Sequence, residues 1–162
     1  YDAMAQLTGE TNPHRINELI HLYKVRYSDK YMVANTHLYP QTRPMLTRLK
    51  EKGARICIVS TKTRSRIQQT IDKEHLNAYI DCVIGIEDVR DAKPSPQGIQ
   101  TIQSRFHLPL EEILYIGDSL IDAQTAANAH VDFAAVTTGT TSAADFTVWP
   151  LVQIMHDLNE LL

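Results

Sequence analysis

Little in this sequence points to a disulfide scaffold, a zinc site, a membrane span or a nucleic-acid surface. Only two of its 162 residues are cysteine, Cys57 and Cys82, and no CxxC pair occurs, so neither a bridged framework nor a thiolate metal site is expected. Each cysteine lies in an apolar run, which predicts buried, reduced thiols of a cytosolic protein. Glycine and proline are sparse, at six and seven residues, excluding collagen-like and linker-like chains. Sixteen basic against nineteen acidic residues leave a net charge of −3. Binding to nucleic acid is therefore not expected. No apolar stretch approaches the ~20 residues that cross a bilayer, so no membrane association is expected either. The opening Tyr1-Asp2-Ala3-Met4 lacks the basic region and apolar core of a secretory signal. It also lacks an initiating methionine, and the expectation is a chain that starts inside a longer gene product.

What is present is ordinary globular material. Apolar residues make up 43% and charged residues 22%, enough to bury roughly 70% of the unfolded surface at this length. Asn12-Pro13 is a helix start, a capping side chain followed by proline at the first helical position. Ile16, Leu19, Ile20, Tyr23, Tyr27 and Tyr31 then recur at helical spacing. Residues 34–44, with two prolines and several polar side chains, mark a boundary. Beyond it the chain alternates. A short helix with Met45, Leu46 and Leu49 is closed by Gly53, and a strand follows at 56–59. A helix with Ile67 and Ile71 leads to a second strand at 82–86, and the helix 96–107 to a third at 113–116. The Ala-rich helix 119–129 precedes a fourth strand at 133–136. A short fifth is predicted at 146–149, and the spacing of Leu151, Ile154, Met155, Leu158 and Leu161 predicts a last helix over 150–162. Strands alternating with helices predict an α/β fold with a doubly wound, mostly parallel sheet. In such folds ligands bind at the carboxyl ends of the strands.

Three strand ends carry chemistry. The first is followed by Ser60-Thr61-Lys62-Thr63, hydroxyls and amides that either form an anion site at a helix start or merely cap the helix. The second leads into Asp91-Ala92-Lys93-Pro94-Ser95-Pro96. A lysine stiffened by two prolines suits holding a phosphoryl oxygen or carboxylate as a point charge, or else is a solvated turn residue. The third ends in Gly117-Asp118-Ser119-Leu120-Ile121-Asp122. Two carboxylates four residues apart can face one cavity and offer the hard oxygens that Mg2+ prefers. Alternatively Asp118 caps the helix and Asp122 favours its positive end. Gly117 permits an unusual backbone or a close approach.

In this order and spacing, the hydroxyl, the Lys-Pro and the GDSLID segment preceded by ILYI resemble the second, third and fourth motifs of the haloacid dehalogenase superfamily. The resemblance covers residues from about 38 to 162, and the subgroup it is most similar to is the phosphoglycolate phosphatase-like enzymes. It implies a Rossmann-like core over 38–162 and, over 1–37, the C-terminal part of a helical cap. It implies a Mg2+-dependent phosphatase of a small phosphorylated metabolite. On that basis Ser60 would bind the transferring phosphoryl group, with Thr61 adding an amide, and Lys93 would neutralise nucleophile and phosphate. Asp118 would ligate Mg2+, and Asp122 would support the metal site or orient Lys93.

One element of the pattern is missing. The family attacks phosphate with an aspartate in a DxDGT segment on the first, central strand, and no DxD occurs in these 162 residues. Asp2 does not substitute, because Met4 holds the second position and no apolar strand precedes it. The chain as given is therefore expected to lack the core's first strand and to be inactive by itself. A gap, or another segment filling it, is expected in the structure. Two alternatives share the core: a sugar-phosphate mutase, and a non-catalytic phosphate-binding module. A receiver domain fits poorly, because its lysine follows its aspartates whereas Lys93 precedes Asp118. Composition does not fix the oligomeric state.

Overall fold

The computed structural model describes residues 2–26, 31 and 34–161. The chain divides into two compact units, Tyr1–His37 and Leu38–Leu162.

In the first unit α1 spans Asp2–Thr8 and α2 spans Pro13–Arg26. The sequence reading contains no helix at α1, a segment too short to show a period. Gly9 ends α1 in the left-handed conformation (φ 69°). The Asn12 side chain accepts from the His14 amide at 2.9 Å, the predicted cap of α2. Along the predicted stripe Ile16 is buried, Leu19 and Ile20 are half-buried, and Tyr23 and Tyr31 are exposed. Tyr27 lies outside the described residues.

The second unit runs α3 (Thr42–Glu51), β1 (Cys57–Val59), α4 (Arg64–Lys73), β2 (Cys82–Ile84), α5 (Gln97–Phe106), β3 (Leu114–Gly117), α6 (Leu120–Ala129), β4 (Asp132–Val136), α7 (Ala143–Phe146) and β5 (Gln153–Met155). Gly53 closes α3 with φ 80°, its amide donating to the Lys50 carbonyl. All strand pairings are parallel, and helices cover both faces. Ile56 and Ile58 pack with the α3–α4 cluster of Met45, Leu46, Ile67 and Ile71. Their neighbours Cys57 and Val59 pack with Ile102 and Phe106 of α5. Likewise Phe133 and Ala135 pack with Ala123 and Ala126 of α6, whereas Ala134 and Val136 pack with Met155, Leu158 and Leu161. This is the period-two alternation of a sheet buried on both faces, the doubly wound α/β class.

Among the described residues the strands form two sheets, β1–β2 and β3–β4–β5, rather than one continuous sheet. Between β1 and β3 lies a cleft of about 660 Å3, lined by residues 56–59 on one side and 114–118 on the other. No described segment pairs with β1 or β3 across this cleft. Its effect on burial is direct. All of β1 and three of the four residues of β3 are only half-buried, and Leu114 is 42% exposed, although these runs read as fully buried strands. Cys57, one of the two thiols expected to be buried, is half-buried for the same reason, while Cys82, its register partner, is buried. Burial, with a smaller contribution from neighbouring Cys82, raises the Cys57 thiol to about 11.

The C-terminal quarter departs from prediction. The strand predicted at 146–149 does not form: Phe146 ends the helix α7, whose first turn is held by Ser142 and Asp145 (Ser142 Oγ to Asp145 Oδ2, 2.7 Å), and residues 147–149 make a turn. The predicted helix over 150–162 is instead β5 followed by a short 3-10 turn at Leu158–Leu161. The open edge of β4 pairs with Gln153–Met155. That pairing buries Met155 completely and overrides an apolar spacing that fits a helix equally well.

Candidate active site

The segments that follow β1, β2 and β3 bring all five predicted residues to two adjoining cavities, with Lys93 common to both. Ser60, Thr61 and Lys93 line a small pocket of about 10 Å3, room for one water. Lys93, Asp118 and Asp122 line the end of the β1–β3 cleft.

Ser60 leaves β1 with its amide bonded to the Ile84 carbonyl. Its Oγ accepts from the Lys62 amide at 3.1 Å, leaving the hydroxyl proton available to a ligand. Neither Ser60 nor Thr61 caps α4. The capping position is Thr63, and the first helical amide, Arg64 N, donates to Glu87 Oε1 at 2.8 Å. The start of α4 is therefore engaged by a carboxylate of the chain itself, and an anion site drawing on that amide is not open. Arg64 also pairs with Asp88, whose Oδ2 accepts from the Gly85 amide. The Arg64 pair, helped by that amide against a smaller burial penalty, holds the Asp88 carboxyl below its usual range.

Lys93 sits in a loop tied down at both ends. Gln97 Oε1 accepts from the Arg90 and Asp91 amides at 2.6 and 3.1 Å, and Asn128 Nδ2 donates to the Pro94 carbonyl at 2.8 Å. The Lys93–Pro94 peptide is cis. The lysine is not a solvated turn residue: its side chain is 16% exposed, and Nζ donates to Asp122 Oδ1 at 2.6 Å.

Asp122 is 5% exposed and fully engaged. Besides Lys93, Tyr115 Oη donates to Oδ1 at 3.1 Å and Ser119 Oγ to Oδ2 at 2.5 Å. Burial alone would raise its carboxyl, but the bonds from Lys93, Ser119 and Tyr115 outweigh burial and hold it below the usual range. Burial next to this carboxylate pushes the Tyr115 hydroxyl far up, so it is protonated and a donor. Asp122, whose two oxygens already accept from three side-chain donors, fits the orienting of Lys93, and Oδ2, with one donor, keeps acceptor capacity for supporting a metal site.

Asp118 is the opposite case. The α6 cap is Ser119, which accepts from the Asp122 amide. Asp118 is therefore not the helix cap, and its exposed carboxylate has no hydrogen bond or ion pair with another described residue. A hard divalent cation that keeps several waters needs only one or two such carboxylates, and Asp118 fits that role. Among the described residues no three acidic, histidine or cysteine side chains cluster as a complete ligand set, so Asp118 is half of a site at most.

Two contributors escaped the sequence reading. Ser119 stands three residues before Asp122, a legible capping signature. Tyr115 put a hydroxyl inside an apolar strand, where a buried phenol needs a partner. No helix among the described residues is long and apolar enough to cross a membrane.

Residues 1–136 match the family model described as haloacid dehalogenase-like hydrolase. A solved structure of a haloacid dehalogenase-like hydrolase from Bacteroides fragilis superposes with TM-score 0.88 and 41% identity, covering 99% of this chain and 76% of that one. A phosphoglycolate phosphatase of Rhodobacter capsulatus is 32% identical over 85% of this chain and 68% of its own length. A pyrophosphatase PpaX of Anoxybacillus flavithermus is 29% identical over 77% and 58%. The chain spans between 50% and 69% of the length of curated relatives such as these. With the motifs, the geometry and these similarities in agreement, the chain belongs to the haloacid dehalogenase-like hydrolases.

Proposed function

We propose that this chain is the greater part of a phosphatase that hydrolyses a small phosphorylated metabolite with Mg2+ as cofactor. In that reading an extended segment carrying the DxD pair occupies the cleft between β1 and β3, pairing with both open edges. The unit Tyr1–His37 contributes to a cap. The observation that carries the reading is the convergence of Lys93, Asp122 and Asp118 at the end of that cleft, where a strand inserted in parallel would deliver its carboxylates.

The roles of this chain's own residues follow from their environments. Ser60 donates its free hydroxyl proton to a phosphoryl oxygen. The Lys93 ammonium, held in place by Asp122 and also donating to Tyr115 Oη at 3.4 Å, places its charge and its remaining proton between the nucleophilic carboxylate and a second phosphoryl oxygen, lowering the repulsion between two anions. Thr61 borders the same pocket and adds a backbone amide to it. Asp118 would hold Mg2+, which when bound supplies positive charge next to the phosphate. The bond to phosphorus forms on the inserted aspartate as the ester oxygen leaves with a proton from the second aspartate, and water then cleaves the acyl phosphate. The products are the alcohol and inorganic phosphate.

The test is phosphate release from an aryl phosphate with Mg2+. The 162-residue chain alone is expected to stay at background, because none of its site residues is an activated nucleophile. A longer polypeptide in which a DxD strand precedes this chain should turn over. Robust turnover by the chain alone, abolished by Asp118→Asn, would mean that the nucleophile lies among these residues and that the reading is wrong.

A further inference from the structure

We propose that Gly139 is a positioning residue whose missing side chain sets where the Asp118 carboxylate sits, and through it the affinity for the divalent cation. The inference deepens the proposed function and rests on Asp118 being the cation's ligand.

Gly139 is exposed, in the loop that follows β4, and its φ lies outside the left-handed region. Nothing in the backbone therefore demands glycine there. Space does. A β-carbon added at Gly139 would stand 2.5 Å from Asp118 Oδ2, 2.9 Å from its Cγ and 3.0 Å from its Cβ, and these three atoms of one side chain are its nearest neighbours. A methyl group thus meets the candidate metal ligand first. A parallel arrangement holds the other carboxylate, since a β-carbon at Gly117 would lie 2.6 Å from Asp122 Cγ.

One of the two partners must give way, and the loop is the less able to do so. At its start the Thr137 amide donates to the Met155 carbonyl at 2.9 Å, and Tyr39 Oη donates to the Thr138 carbonyl at 3.4 Å. At its far end the Ser142–Asp145 pair locks the first turn of α7. Among the described residues none holds the Asp118 side chain by a hydrogen bond that would resist displacement. A methyl at 139 therefore turns the carboxylate away from its present place instead of unfolding the loop. Groups that orient a ligand from behind typically change metal affinity by about 10–100-fold when altered.

The test compares Gly139→Ala with wild type and with Thr140→Ala, an exposed neighbour with no role in the site. Side-chain carboxyl signals are followed by NMR in the longer polypeptide that carries the preceding DxD strand, first metal-free and then through a Mg2+ titration, with Mn2+ broadening as an independent locator. In Gly139→Ala the Asp118 signal should move before any metal is added, and Mg2+ affinity should fall by about tenfold or more, while Thr140→Ala leaves both unchanged. If wild type responds to Mg2+ at Asp118 and Gly139→Ala binds within about twofold of it, the proposal is overturned and the metal reading stands. If neither Mg2+ nor Mn2+ perturbs Asp118 in wild type, the metal reading falls and takes the proposal with it. Should Gly139→Ala fail to fold, Asp118→Ala/Gly139→Ala decides. Recovery of the fold identifies Asp118 as the obstacle, and continued failure gives Gly139 a purely structural role and overturns the proposal.

Discussion

Asp118 and Asp122 stand four residues apart in one motif and have the same side chain, yet they occupy opposite physical situations. Asp118 is exposed at the end of the cleft with no partner among the described residues. Asp122 is buried one helical turn on, with three side-chain donors on its two oxygens. The difference teaches how a site divides labour between identical groups. A carboxylate that already accepts from three donors has little left to offer a ligand, and its value lies in fixing the cation beside it. One left unsatisfied at a cavity's edge contributes little to folding and is free for chemistry.

Stability should separate the two aspartates most sharply. Removing one partner of a buried ion pair strands the other, so Asp122→Ala should cost about 3–5 kcal/mol, against no more than about 0.5 for Asp118→Ala. Urea denaturation of the two variants measures both, and equal losses would break the comparison. Lys93→Ala should likewise destabilise the fold as well as the chemistry, because Asp122, with a side chain 7% exposed, is left without its cation.

Turnover should reverse the emphasis. In a longer protein that carries the nucleophile strand, Asp118→Asn should lower Mg2+-dependent phosphate release by at least roughly a hundredfold, with an unchanged melting temperature. Undiminished release would remove Asp118 from the chemistry.

Smaller effects sharpen the account of Asp122. Tyr115→Phe deletes one of its donors but leaves Lys93 in place, so a loss of about 1 kcal/mol in urea denaturation is expected. A loss as large as that of Asp122→Ala would make the hydroxyl, and not the ammonium, the main anchor. The pH dependence follows from the lowered Asp122 carboxyl. Its stabilisation is complete above the unfolded aspartate value of about 4 and is lost as pH falls through the lower folded value. Wild type should therefore lose its stability difference from a Lys93→Met/Asp122→Leu protein as pH is lowered through that window. A difference that stays constant into strong acid would show that the pair does not titrate with folding.

The motif segments were legible because each is a local signal. A hydroxyl, a Lys-Pro and an Asp-x-x-x-Asp at successive strand ends depend on little beyond strand–helix alternation and the rule that such ends converge. The cap of α2 at Asn12 and the glycine ending α3 are local in the same sense, a few residues satisfying one another's backbone groups.

The tertiary structure decided what depends on partners distant in sequence. The apolar runs of β1 and β3 are those of buried strands, but burial is a property of neighbours, and next to an open cleft the same residues remain half-exposed. Residues 153–155 fit a helical period, and only the open edge of β4 made them a strand. Asp118 and Asp122 are equivalent in the sequence. Tyr115, seven residues before Asp122, and Lys93, twenty-nine before it, arrive on the second aspartate through the fold alone. Gly139 meets Asp118 across twenty-one residues of chain, a contact that only the fold makes. Residue types and local spacing determined which chemical groups this chain carries. Burial and long-range contact, which exist only once the chain is packed, determined which of those groups are committed to one another and which remain open to a ligand.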